Sequence, residues 1–168
     1  MKSKVIVEGP DCSGKSTLVN QLKNKLRWDS KSLHHREGKQ FERYLKEYSF
    51  SEGVVLDRSH FSEAVYSEMW RGGTPFEEWE EKLLDELAAK TSVIVLACPS
   101  LGVLRERYKS RGYDQQISLE ELEMARKFFL EKLKDVNFIL YESKDLAELD
   151  DLIRKVEGVL NESLRSSE

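Results

Sequence analysis

Short apolar runs alternate along this chain with longer stretches in which apolar residues recur at three- and four-residue steps. The short runs predict strands over Lys4–Glu8, Ser32–Arg36, Gly53–Asp57, Ser92–Ala97 and Asn137–Tyr141. The longer stretches predict helices over Lys15–Leu26, Lys39–Tyr48, Ser62–Trp70, Pro75–Lys90, Leu101–Lys109, Ser118–Lys134 and Leu146–Leu164. The period is clearest late in the chain, in Leu119, Leu122, Phe129 and Leu133 and again in Leu149, Leu152, Val156 and Leu160. Pro75 suits a first helical turn, and Ser118 followed by Glu121 is a capping-box pattern. Strand–helix alternation of this kind predicts an α/β fold: a parallel sheet with helices on both faces. Ligands of such sheets gather at the carboxyl ends of the strands. That rule points to Glu8–Thr17, Arg36–Gly38, Asp57–Ser59, Cys98–Ser100 and Glu142–Lys144.

The length of 168 residues suits one domain, residues 1–168. With 39% hydrophobic and 35% charged residues the composition is that of a soluble globular chain. A net charge of −4 argues against a broad duplex nucleic-acid platform, whose affinity comes from neutralising phosphates. It leaves room for a small basic cleft. The cysteines, Cys12 and Cys98, form neither a CxxC pair nor a zinc spacing, which favours a reducing compartment. No apolar run approaches membrane-spanning length, and Met1-Lys2-Ser3-Lys4 leads straight into the first strand without a visible signal peptide. Cytoplasmic residence is the resulting expectation.

The chemistry is concentrated in Gly9-Pro10-Asp11-Cys12-Ser13-Gly14-Lys15-Ser16, a G-x-x-x-x-G-K-S octet between a strand and a helix. Gly9 and Gly14 allow backbone angles closed to other residues. The N–H groups of Cys12, Ser13, Gly14 and their neighbours through Thr17 can then turn inward as an anion nest at a helix N-terminus. Lys15 supplies a cation for the outer phosphates, and the Ser16 hydroxyl is a ligand for Mg²⁺. Cys12 reads as a small loop residue rather than a catalytic thiol. A second constellation, Asp57-Arg58-Ser59, ends an apolar strand. An acid there can hold Mg²⁺ through water, and the arginine can bind a phosphate oxygen.

These residues resemble those of thymidylate kinases and the related deoxynucleoside kinases. The strand and loop from Val5 to Thr17 are similar to their first strand and phosphate loop, with an acid, Asp11, inside the loop. Arg36-Glu37-Gly38 resembles the thymidylate kinase segment after the second strand, without its proline. Asp57-Arg58, Ser62 and Tyr66 repeat the thymidylate kinase spacing, and Asp57-Arg58-Ser59 also resembles the acid–arginine–serine motif of deoxynucleoside kinases. The stretch Arg105 to Asp114 is similar to the arginine-rich lid of both groups, although Gln115 stands where some members carry arginine.

The resemblance implies a P-loop three-layer sandwich, with a five-stranded parallel sheet and an arginine-containing lid at about 109–117. It implies an ATP-dependent kinase in which Lys15, Asp57, Arg58, Asp11, Arg107 and Arg111 act on the reacting groups and Arg105 helps to hold the donor. Arg36 and Arg58 are candidate clamps for an acceptor phosphate and Tyr66 is a candidate base-stacking residue; by their places in the chain, Phe41, just past Glu37, is a second stacking candidate and Arg71, ahead of Gly72-Gly73, could reach the acceptor. The leading acceptor is a (deoxy)nucleoside monophosphate. The alternative is the 5′-hydroxyl of a nucleoside, for which Glu37 is the candidate base; a kinase of nucleic-acid ends is a third reading. A guanine-reading switch is disfavoured, because Cys98-Pro99-Ser100 follows the fourth strand in place of Asn-Lys-x-Asp. Family members often dimerise through helices beside the third strand, which leaves a homodimer open.

Overall fold

The computed structural model describes residues 1–112 and 117–165. Its elements run β1 (Lys4–Glu8), α1 (Lys15–Leu26), β2 (Asp29–Ser32), α2 (Gln40–Phe50), β3 (Val54–Asp57), α3 (His60–Trp70), α4 (Glu78–Thr91), β4 (Ser92–Ala97), α5 (Leu101–Ser110), α6 (Leu119–Lys132), β5 (Ile139–Tyr141) and α7 (Leu146–Arg165). The strands form one five-stranded sheet in the order β2-β3-β1-β4-β5. All of its pairings are parallel. Parallel strands buried on both faces read as continuous apolar runs, and alternate residues serve alternate faces. Ile6, Leu56, Ile94 and Leu96 pack into a core that includes Tyr44 and Tyr48 of α2, Phe61 of α3, Leu84 of α4 and Phe129 of α6. Val5, Val7, Val55, Val93 and Val95 pack on the other face with Leu18 and Leu22 of α1 and Leu152 and Val156 of α7. The expected three-layer sandwich is therefore the one observed.

The differences lie at edges and ends. β2 runs over Asp29–Ser32, all four side chains exposed, rather than Ser32–Arg36. As an edge strand it is held by backbone pairing, Asp29 opposite Val54 through Ser32 opposite Asp57, so no apolar alternation marks it. Leu33 continues the ladder by one bond, its N–H donating to the Asp57 carbonyl at 2.9 Å. α4 begins at Glu78 rather than Pro75, because Glu77 caps it and Glu80 accepts from the Glu77 N–H at 2.9 Å. α3 starts earlier than Ser62, capped by Ser59. The capping box of Ser118 and Glu121 is formed as expected. The expected lid falls partly on residues 113–116, which lie outside the described residues. Among the described residues, no helix is long and apolar enough to cross a membrane.

Candidate active site

The ends of β1 and β3 meet beneath a cavity of about 230 Å³, lined by residues 11–17 of the glycine loop together with His34, Asp57, Arg58 and Arg111. The loop needs its glycines. Gly9 has φ 140°, and a Cβ there would lie 2.1 Å from the Ala97 carbonyl oxygen. Gly14 has φ 89° and begins the first turn of α1. Lys15 is buried, with Nζ donating to the Pro10 carbonyl at 2.6 Å. Burial, seconded by the charge of Arg58, pushes its pKa down to about 8, against the pull of Asp11, Asp57 and Glu8. Ser16 and Thr17 are exposed toward this cavity. Across it, Asp57 Oδ1 is buried with no hydrogen-bond partner among the described residues. A buried carboxylate oxygen without a donor among the described residues, lining the same cavity as a serine, is a hard oxygen set that fits Mg²⁺.

Arg58 sits where this cavity opens into a second one of about 300 Å³. Its backbone has φ 74°, costly for a residue with a side chain. Several contacts hold it there. Its N–H donates to the Val7 carbonyl at 3.0 Å, and Nη2 donates to Asp11 Oδ1 at 2.6 Å. Its guanidinium lies 5.1 Å from the Tyr66 ring centroid. On either side, Ser59 Oγ donates to Glu8 Oε1 at 2.5 Å and Ser62 Oγ donates to Glu8 Oε2. Glu8 is wholly buried, and its desolvation raises its pKa above the usual carboxylate range, opposed by those two hydroxyls and by Arg58 and Lys15.

The second cavity is walled by α3 and the segment after β2. Tyr66 and Trp70 stack with centroids 5.0 Å apart. Glu63, buried, gathers His35 Nδ1 at 2.7 Å and Arg71 Nη2 at 2.9 Å on one oxygen. Arg71 is held further by Ser67 at 2.8 Å. Both arginines of this chamber are therefore matched by its own carboxylates, Arg58 by Asp11 and Arg71 by Glu63. On the opposite side of the loop, Arg107 donates to the Cys12 carbonyl at 3.3 Å and to Ser143 Oγ at 2.9 Å. With Arg111 it lines a third cavity of about 400 Å³ beside Gly14 and Thr17.

Most of the residues expected from the sequence thus converge, including Asp11, Cys12, Ser13, Lys15, Asp57, Arg58, Tyr66, Arg71, Arg107 and Arg111. Others stand apart. Arg105 pairs with Glu123 at 2.6 Å on the surface of α5 and α6. Arg36 and Glu37 are exposed, and neither lines these cavities. Phe41 packs edge-on against Trp79 at 5.2 Å. Sequence reasoning did not single out His34, His35 or Glu63 for the site, and it reached Glu8 only as the first residue of a strand-end segment. Glu63 had a signal: Glu63, Ser67 and Arg71 recur at four-residue steps and share one helix face with Tyr66 and Trp70. His34 and His35 had none, since their placement depends on the register of an edge strand.

No family model matches this sequence. The SPbeta prophage-derived protein YorR of Bacillus subtilis (strain 168) is 25% identical over 144 residues, 82% of this chain and 86% of that one. The crystal structure of YorR from Bacillus subtilis, in complex with phosphorylated GDP, superposes with a TM-score of 0.79 at 19% identity, covering 95% of this chain and 96% of that one. Deoxyadenosine kinase from M. mycoides, with products dCMP and a flexible dCDP, gives a TM-score of 0.59 at 17% identity over 92% of this chain and 99% of that one. The same enzyme with bound dATP gives 0.58 at 17% identity. The geometry and these likenesses together establish the architecture: the chain has the fold of the P-loop nucleoside and nucleotide kinases.

Proposed function

We propose that this chain is an ATP-dependent nucleoside kinase, transferring the γ-phosphoryl group to the 5′-hydroxyl of a nucleoside or deoxynucleoside. The observation that carries this reading is the charge balance of the chamber beside the glycine loop. Arg58 and Arg71 are each paired with a carboxylate of the same chamber. Such a pocket suits an uncharged acceptor. A monophosphate would bring roughly two further negative charges into a site whose cations are already engaged. Arg36, the other candidate phosphate clamp, stands exposed outside it. The likeness to a deoxyadenosine kinase supports the same acceptor. The hydroxyl reading thus has more support than the monophosphate reading that leads from the sequence pattern.

Phosphoryl transfer asks for positioning and charge neutralisation more than for covalent chemistry. In this reading Lys15 and the loop amides hold the donor's outer phosphates and Arg111 neutralises charge on the transferred group, while Arg58, paired with Asp11, borders the acceptor. Ser16 and Asp57 would hold Mg²⁺, which supplies charge neutralisation at the β- and γ-phosphates. Arg107 fixes the loop to the Ser143 turn that borders the donor's cavity. The Tyr66–Trp70 pair offers an aromatic platform for the acceptor's base, and Glu63 beside Arg71 offers an acceptor and a donor to its edge. The bound guanine nucleotide in YorR is compatible with such an edge. The test is to incubate the protein with ATP and Mg²⁺ and, separately, each deoxynucleoside and each deoxynucleoside monophosphate, and to identify products by mass. Monophosphates formed from nucleosides are the expected result; diphosphates formed from monophosphates alone would overturn the reading.

A further inference from the structure

We propose that His34 is the general base that takes the proton from the attacking hydroxyl, a role that rests on the nucleoside-kinase reading above. The nucleophile must sit where the acceptor chamber meets the phosphate cavity. Among the described residues, the side chains lining both are Asp11, His34 and Arg58. Arg58 is a permanent cation and cannot take a proton. Asp11 Oδ1 accepts from Arg58 Nη2 at 2.6 Å, so this carboxylate serves as the arginine's counter-ion. The His34 ring has no hydrogen bond or ion pair to any described residue. Its neighbour His35 is tied to Glu63 at 2.7 Å. Glu37, the base suggested by the sequence pattern, is exposed and lines neither cavity.

The backbone carrying His34 is fixed on both sides. Leu33 is buried and hydrogen-bonded to the Asp57 carbonyl at 2.9 Å. The His34 carbonyl accepts from Arg43 Nη1 at 2.8 Å. A ring with a free nitrogen is thus presented to the junction from a pinned segment. In the step, the 5′-hydroxyl proton passes to the unprotonated ring nitrogen as the oxygen bonds to the γ-phosphorus. The bond from that phosphorus to the bridging β–γ oxygen breaks, and its electron pair stays on the departing diphosphate. His34 then releases its proton to water.

The test compares wild type, His34→Gln, His34→Ala and Glu37→Gln with ATP, Mg²⁺ and the deoxynucleosides that the wild type phosphorylates. His34→Gln is expected to lower kcat about 100-fold or more while nucleoside and ATP dissociation constants, measured by calorimetry, change less than about threefold. Added imidazole is expected to restore part of the kcat of His34→Ala, which a purely structural role would not allow. A His34→Gln enzyme with near-normal kcat, a larger loss in Glu37→Gln, or no response to imidazole overturns the assignment while leaving the nucleoside-kinase reading in place. A wild type that phosphorylates monophosphates but no nucleoside overturns that reading, and the role of His34 with it.

Discussion

Lys15 is the residue at which burial and function pull in opposite directions. A buried ammonium is destabilised, and its pKa of about 8 places deprotonation within reach of ordinary buffers. On the proposed reading, a triphosphate in the glycine loop restores the charged form. Triphosphate binding at pH 8 to 9 is therefore expected to draw protons from solution, measured as a dependence of the calorimetric enthalpy on the buffer's ionisation enthalpy. Lys15→Met abolishes that dependence; an uptake that persists in the variant would assign it to another group. Asp57 tells a complementary story, since its buried Oδ1 lacks a donor among the described residues. Asp57→Ala is expected to lower phosphoryl transfer about 100-fold or more, with the circular dichroism spectrum unchanged. Near-normal turnover would remove Asp57 from the metal site.

At the scale of elements, the strands that bury both faces were legible from their unbroken apolar runs, Val5–Val7 and Val93–Ala97. Lys4–Glu8 and Ser92–Ala97 are observed with the bounds that the pattern predicts. The edge strand was not legible, since Asp29-Ser30-Lys31-Ser32 pairs with β3 through its backbone and its exposed side chains leave no apolar alternation to follow. The same contrast divides the site. The phosphate loop is contiguous and carries its own turn chemistry, so residues 9–17 could be assigned directly. The chamber beside it joins the segment after β2 to one face of α3, and only folding brings His34 to Arg58 or His35 to Glu63. The clasp between the elements is Glu8, bound by the serines at the start of α3. Its pKa is raised by burial, so the folded state retains a proton that the unfolded chain releases. Stability contributed below the usual carboxylate value is then lost as pH rises toward the raised value. Glu8→Gln, which keeps an oxygen to accept from a serine, is expected to lessen the fall in Tm between pH 4 and pH 7. An unchanged fall would assign it to other groups.

At the scale of the whole molecule, the parallel sheet, on the proposed reading, sets donor and acceptor side by side. Its switch point, where β1 lies between β3 and β4, puts the glycine loop over the strand ends. One cavity beside the loop is bordered by Arg107, Arg111 and Ser143, the other by α3 and the segment after β2. Between them stands the shared set of Asp11, His34 and Arg58. On the proposed reading, this junction directs the terminal phosphoryl group to a hydroxyl rather than to a phosphate. The most direct measurement is a competition: limiting ATP labelled at the γ-phosphorus, Mg²⁺, and equal concentrations of a deoxynucleoside and its monophosphate, repeated for each base. Label appearing in the deoxynucleoside monophosphate is the predicted result. Label appearing in the diphosphate, or remaining in ATP for every pair, would contradict the account.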